Sequence, residues 1–413
     1  MLRTVRPDGI ERFGPAGTFD GGWILVMRAT AGMPDDKTTM AERTRDEAKQ
    51  YSRRKRAIGF LKLLLSFAFL AVVLLSGASS WLHELVGRLT GNYYLQLSGY
   101  LLVFMTAYSV VLLGLDFYSG VVLEHRYGLS NQTIGRWFVR SAKQWLLSTV
   151  VTIGGFNLLY RVIRGLPDWW WLAAAVGWFV MLVLMGKITP AIVVPLFYKL
   201  RPLTDRDLAD RLFALAERCG VPVTRVLEIR LSRETKKANA AVVGLGSDRR
   251  ILIGDTLLDL CTHDEIEAVF AHELGHMALH HSWKLLGAGA AASAVGFYLL
   301  YVLLGPSATA LGFAGQDDIA AMPLLWLWLT IFGLIARPLQ AAGARHFEKQ
   351  ADLFIVGRVQ DPESLISALD KLAQRNLADP QPSRLIELLL YDHPPIAKRI
   401  DYLRKAARHA PQS

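Results

Sequence analysis

Scarcity sets the first bounds on this chain. Its 413 residues include two cysteines, Cys219 and Cys261, far apart and without CxxC spacing. That excludes a disulfide framework and a thiolate metal cage, and leaves both thiols a structural part in a reducing compartment. Histidine is scarce too, at 10 residues, so any close pair of imidazoles stands out. No Lys/Arg tract interleaved with aromatics occurs away from the apolar segments, which argues against nucleic acid as a partner despite a net charge of +10. Residues 1–36 lack sustained periodicity and read as a leader; their apolar run Trp23 to Met27 falls far short of the roughly 20 residues a membrane span needs. With the first long apolar run starting only at Ala57, a membrane anchor is expected and a cleaved signal peptide is not.

What the chain has in excess is hydrophobic length. Its 52% of hydrophobic residues is more than a water-soluble core uses, and the surplus falls in six runs near 57–77, 95–119, 145–164, 169–190, 284–305 and 322–342. Pro190 and Pro195 are expected to kink the tail of the fourth run at the membrane surface. Arg53 to Arg56 precede the first run, and Arg126, Arg136, Arg140 and Lys143 lie between the second and third. The 305–321 loop has no Lys or Arg and contains Asp317 and Asp318. By the positive-inside rule both termini, the 120–144 loop and the 199–283 segment are expected in the cytoplasm. Lys62 and Lys187 read as snorkelling cations, and Asp116 as a group lining a polar interior.

The stretch between the fourth and fifth runs is soluble in character. Thr204 to Cys219 repeats apolar residues at helical spacing, and Arg225 to Leu231 alternates like a strand. Asn239 to Gly244 and Arg250 to Gly254 flank the turn-rich tetrapeptide Leu245 to Asp248, which reads as a hairpin. A helix then opens at Asp264-Glu265, capped by Thr262 or Asp264, and carries His272-Glu273-Leu274-Gly275-His276. Helical positions i and i+4 lie one above the other, so His272 and His276 can grip one ion while Glu273 works on a water beside it, the HExxH arrangement of a zinc peptidase.

Catalytic zinc usually takes three protein ligands and leaves the fourth position for water. The longer metzincin spacing would fall on Ser282, which excludes that class. His280 continues the face of His272 and His276, but the first and last of three such positions are about 12 Å apart on a straight helix, too far to converge. A better source is Glu348 and Asp352, again i and i+4 on a helix: one carboxylate can coordinate while the other holds a ligating imidazole through its free N–H. The helix of His272 is expected to run past His280 directly into the fifth span.

These features, with Asn239-Ala240, Ile251 to Leu258, His393-Pro394-Pro395 with Arg399, and the upstream Glu124 to Thr133, resemble the integral-membrane CAAX prenyl endopeptidases of type 1 over roughly residues 57–405. The resemblance implies a mainly α, polytopic membrane protein bearing a cytoplasmic gluzincin-like zinc protease domain with a small β-sheet. It implies one Zn2+ per chain held by His272, His276 and Glu348, Glu273 as general base, and Asp352 orienting a zinc histidine. It further implies Asn239 and Ala240 as substrate-binding residues on a strand edge, and His393 as donor to the oxyanion. The implied partners are the lipid bilayer and a peptide or protein substrate, prenylated in the family. Family members in eukaryotes have seven spans, one more than is legible here.

The expected organisation is a flexible extension over 1–56, four spans over 57–198, a catalytic insert over 199–283, two further spans over 284–342 and a second catalytic part over 343–413. Basic residues weighted toward Arg suggest a bacterial chain, hence an inner-membrane location. Two other functions fit the same features: a quality-control protease without prenyl specificity, and a non-catalytic scaffold. The intact Glu273 and the open fourth position disfavour the scaffold.

Overall fold

The computed structural model describes residues 36–244, 249–356 and 363–409. Most of the leader and the turn expected over 245–248 lie outside the described residues. Helix α1 (Asp36–Leu75) runs unbroken through the boundary expected at residue 56. The reason is packing: Ala48 and Tyr51 are buried in a cluster with Ile58, Leu123, Leu129 and Leu377. Tyr51 also donates to Glu124 at 2.6 Å, and Lys55 lies 2.7 Å from the same carboxylate. Residues 44–56 are thus a docked helix and not a flexible extension.

Helix α2 (Ala78–Gly87) is followed by α3 (Tyr93–Phe117), which passes through a π turn at Tyr118–Val122 into α4 (Leu123–Arg126). Thr133 caps α5 (Ile134–Gly165) by accepting from the Arg136 N–H. Next come α6 (Trp170–Ile188), a π turn at Thr189–Val193 and α7 (Val194–Phe197). Pro190 has no N–H to give, and the ladder widens there instead of ending, the Val194 N–H reaching the Thr189 carbonyl. Lys62 and Asp116, read separately from the sequence, pair with each other.

The polytopic helical architecture expected from hydropathy is present. Among the described residues, six helices of 28 to 36 residues are long and apolar enough to cross a bilayer, the last two being α11 (His281–Ala310) and the stretch ending in α12 (Met322–Phe354). The ends of the spans remote from the soluble insert are gathered by a core containing Leu70, Leu97, Tyr100, Tyr160, Trp170, Leu300 and Met322.

The insert forms a four-stranded sheet of β1 (Leu200–Pro202), β2 (Arg225–Ile229), β3 (Ala240–Val243) and β4 (Arg250–Gly254), in the order β1-β2-β4-β3. β2 and β4 are parallel, and the expected hairpin partners β3 and β4 pair antiparallel with Ala240 opposite Ile253. β2 stops at Ile229, short of the expected Leu231. Past that point the Leu231 and Ser232 N–H groups both donate to Asp255 Oδ1 at 2.9 Å, leaving the ladder.

Around the sheet stand α8 (Arg206–Arg218), α9 (Asp255–Leu258), α10 (His263–Ala278), α13 (Glu363–Asn376), α14 (Arg384–Leu390) and α15 (Ile396–His409). One core joins Leu208, Leu212, Ile251, Ile253, Phe270, Leu369 and Leu403, so segments on either side of the last two spans share a single apolar interior. Burial pushes the Cys261 thiol up to about 11, which keeps it protonated and inert at neutral pH.

Candidate metal centre

Helix α10 is positioned before it carries any chemistry. Thr262 and Glu265 form a reciprocal capping box, and Glu265 also accepts from Ser367 at 2.5 Å and Lys371 at 2.7 Å, fastening the helix start to α13. Ile266, Phe270 and Leu274 are buried in the shared core, which fixes the rotation of the helix about its axis. Gly275 lies where α10 meets α12: a Cβ there would come within 3.0 Å of the Phe354 ring. A residue without a side chain is what lets the two helices approach.

That approach brings Glu348 of α12 to the two imidazoles of α10. His272 Nε2 stands 3.3 Å from His276 Nε2, and the two carboxylate oxygens of Glu348 stand 3.3 Å from His272 Nε2 and 3.2 Å from His276 Nε2. Donors about 2.0–2.1 Å from one tetrahedral ion lie about 3.3 Å from each other, so each of these separations is that of two ligands to one zinc. The donor set of two neutral imidazoles and a carboxylate is also zinc's own chemistry. His272 and Glu348 are buried, and His276 is partly so.

Contacts behind the imidazoles set their tautomers. His272 Nδ1 lies 2.8 Å from Asp352 Oδ1, and a proton held there leaves the Nε2 lone pair free to face the centre. Asp352, fully buried, is held in turn by a two-pronged contact from Arg399 at 2.6 and 2.8 Å and by the Tyr402 hydroxyl. Burial alone draws the His272 imidazolium down. Bonding to Asp352 and Glu348 outweighs it and pushes the pKa up to about 9: the pocket favours positive charge.

His276 is backed by His281, which the sequence placed close to the motif without giving it a role. α10 does not continue into the fifth span. It ends at Ala278, His280 adopts the left-handed conformation at φ 57°, and α11 begins at His281. A continuous helix would have carried His281 round to another face; the break folds its ring back to 3.1 Å from His276 Nδ1. Gln350 Oε1 lies 2.9 Å from His281 Nε2, and Gln350 Nε2 is 3.1 Å from His346 Nε2. With the amide donating to His346, the Gln350 oxygen accepts from His281, whose Nδ1 then accepts from His276. The His276 Nε2 lone pair is thereby turned to the centre. Stacking on Phe347 at 4.5 Å between centroids steadies the His281 ring. The available signal was the crowding of His280 and His281 after the motif; the exposed His280 serves the turn and the buried His281 serves the site.

Of the other expected site residues, Glu273 is partly exposed on α10 directly after His272. His393, in the connection between α14 and α15, has its Nδ1 2.7 Å from Glu348 Oε2, so it too reaches the centre. Asn239 and Ala240 stand where β3 begins, Asn239 exposed. β3 is an edge strand of the sheet and packs on α10, the histidine helix.

The chain is similar to known proteins over most of its length. Residues 24–199 match the family profile described as CAAX prenyl protease N-terminal, five membrane helices, and residues 202–407 match peptidase family M48. The chain is 28% identical to the uncharacterized metalloprotease YhfN of Bacillus subtilis, covering 87% of this chain and 85% of that protein. It is 26% identical to the human CAAX prenyl protease 1 homolog, covering 93% and 91% of the two chains. Its fold superposes on the crystal structure of S. mikatae Ste24p with a TM-score of 0.77 at 25% identity, covering 87% of this chain and 88% of that one.

Proposed function

We propose, from the premise that this chain belongs to peptidase family M48 and is a multi-pass membrane zinc metalloendopeptidase, that it cuts lipidated or membrane-associated proteins at CAAX-type C-terminal sequences. Its catalytic part is assembled from 199–283 and 343–413, with two spans threaded between them. The observation that carries the residue assignment is the convergence of His272, His276 and both Glu348 oxygens at separations near 3.3 Å.

These three residues would hold a zinc ion, which would supply a water of pKa lowered to about 7 and polarise the scissile carbonyl. Glu273 takes the proton from the attacking water and passes it to the departing amine nitrogen. Asp352 and His281 hold the two imidazoles in the tautomers that present Nε2. His393 turns from Glu348 to donate to the oxyanion that develops on the carbonyl, a contribution of about 3–4 kcal/mol where such donors have been removed. The free edge of β3, with Asn239 and Ala240, takes the substrate backbone as an added strand.

The cations around residues 53–56 and 126–143, set against the acidic 305–321 loop, support a cytoplasmic face for this site and, in a bacterium, the inner membrane. No nucleic acid takes part in this reading. The test is cleavage of a farnesylated CAAX peptide and its unmodified twin by detergent-purified protein, beside Glu273→Gln. Wild type and variant are each expected to hold one zinc, with the variant slower by about 10²–10⁴-fold. Unchanged activity in Glu273→Gln removes Glu273 as the base, and equal cutting of the two peptides removes the prenyl preference.

A further inference from the structure

A cavity of about 350 Å³ opens where the first turns of α5, the end of α7 and the loop after β2 meet. Arg136, Arg140 and Lys143 line it from α5, at i, i+4 and i+7 on one helix face, and Lys199, Arg230 and Arg233 line it from the sheet side. Glu234 is the one carboxylate among the lining residues, and it already pairs with Arg140 and accepts from Gln132 at 3.3 Å. The other five cations have no carboxylate in the wall to balance them. Topology alone asks for basic loops on one side of a membrane, but it scatters them over the surface and does not gather them into a concavity. Gathered cations repel one another, and an anion seated among them relieves that repulsion.

The rim says which anion. Val139 and Leu196 also line the cavity, and both are exposed, at 60% and 46%; Ile192, four residues before Leu196, is 63% exposed. These apolar side chains lie at the ends of two candidate spans, Ile134–Gly165 and Trp170–Phe197, so an apolar track leads from the cationic pocket along the membrane-facing helices. A cationic floor able to fork onto phosphate oxygens, opening onto an apolar track, fits a molecule with a phosphate head and an acyl tail. The volume lies within the range of small-molecule sites. None of His272, Glu273, His276 or Glu348 lines it, and it sits by β1 and β2, across the sheet from the β3 edge. It is a separate site.

We propose that this cavity binds the phosphate headgroup of an anionic membrane lipid, bridging α5 to the loop after β2. The headgroup would couple the membrane helices to the sheet that the catalytic insert is built on.

The test uses the full chain in detergent, titrated with dioleoyl phosphatidylglycerol, dioleoyl phosphatidylcholine or glycerol 3-phosphate, with bound lipid read by native mass spectrometry and stability by thermal shift. All substituted residues are exposed, so the folded state is retained. Phosphatidylglycerol is expected to bind at least about tenfold more tightly than phosphatidylcholine. The triple variant Arg136→Glu, Arg230→Glu, Arg233→Glu should lose that preference while keeping its zinc. Arg206→Glu, Arg384→Glu, Arg408→Glu, with the same charge change outside the cavity, should keep it. Equal binding of the two lipids overturns the proposal, as does equal loss in both triple variants, which would make the effect one of overall charge. Glycerol 3-phosphate binding as tightly as the lipid would reassign the pocket to soluble phosphate esters and overturn the lipid assignment.

Discussion

Around the histidine helix, side chains of the sheet and its flanking helices close over one another: Leu212, Phe270 and Leu274 are each 0% exposed. In the spans the same residue types face outward. None of the most apolar stretch of the fourth span is buried by protein, and only 39% of that of the sixth. Water drives the burial in the first region, whereas lipid, as apolar as leucine itself, supplies no such drive between helices in the second. The lipid-facing surface therefore specifies little beyond hydrophobicity, while the catalytic interior specifies shape. Three-ligand geometry needs the water-driven interior, and Glu348, although it lies on the same helix as the sixth span, reaches the centre only where α12 has entered the protein interior.

The contrast can be broken by mutation. Phe270→Ala empties a fully buried position and is expected to cost about 3–5 kcal/mol, with loss of zinc following loss of the core. Ile335→Ala, at a site 67% exposed along the sixth span, should cost well under about 1 kcal/mol in detergent. Comparable thermal shifts for the two would end the distinction between the regions.

His281 stands where the regions meet, as the first residue of a span and the partner of His276. His281→Ala should weaken zinc binding by about 10–100-fold in chelator competition, and His281→Asn, whose amide oxygen can accept from His276, should recover part of it. A uniform loss of stability in both variants with zinc affinity intact would reduce the residue to packing.

An effect that depends on pH is expected at the start of α10. Burial works against the Glu265 carboxylate, but bonds from Lys371, Ser367 and the Thr262 N–H outweigh it and hold its pKa below the ordinary value. A carboxyl with a depressed folded pKa contributes stability above the usual carboxylate range and loses it as pH falls through the folded value. Glu265→Gln should therefore cost about 1 kcal/mol at pH 7 and progressively less under acid. A melting-temperature gap to wild type that stays constant from pH 7 to pH 4 would exclude this ionic contribution.

Much of this was legible in the residues. The six spans follow from composition and length, because a bilayer reads hydrophobicity over about 20 residues and little else. The capping box at Thr262 and Glu265 and the i, i+4 histidines are local patterns within one or two helical turns, so local rules suffice. The docking of residues 44–56 was hidden because Tyr51 and Lys55 find Glu124 far along the chain. The short β1 was hidden because three residues carry no periodicity of their own.

By itself, then, the sequence determined that two imidazoles share a helix face with a carboxylate beside them, and that this helix belongs to a chain of membrane spans. Only the tertiary structure decided that Glu348 faces the imidazole pair while Asp352 stands behind His272, since the two carboxylates are equivalent as a pattern and differ only in where α12 packs on α10. It likewise decided that the helix breaks at His280 and returns His281 to the centre. A left-handed residue is uncommon outside glycine, though histidine adopts it more readily than most side chains, and at His280 it turns the chain from α10 into α11.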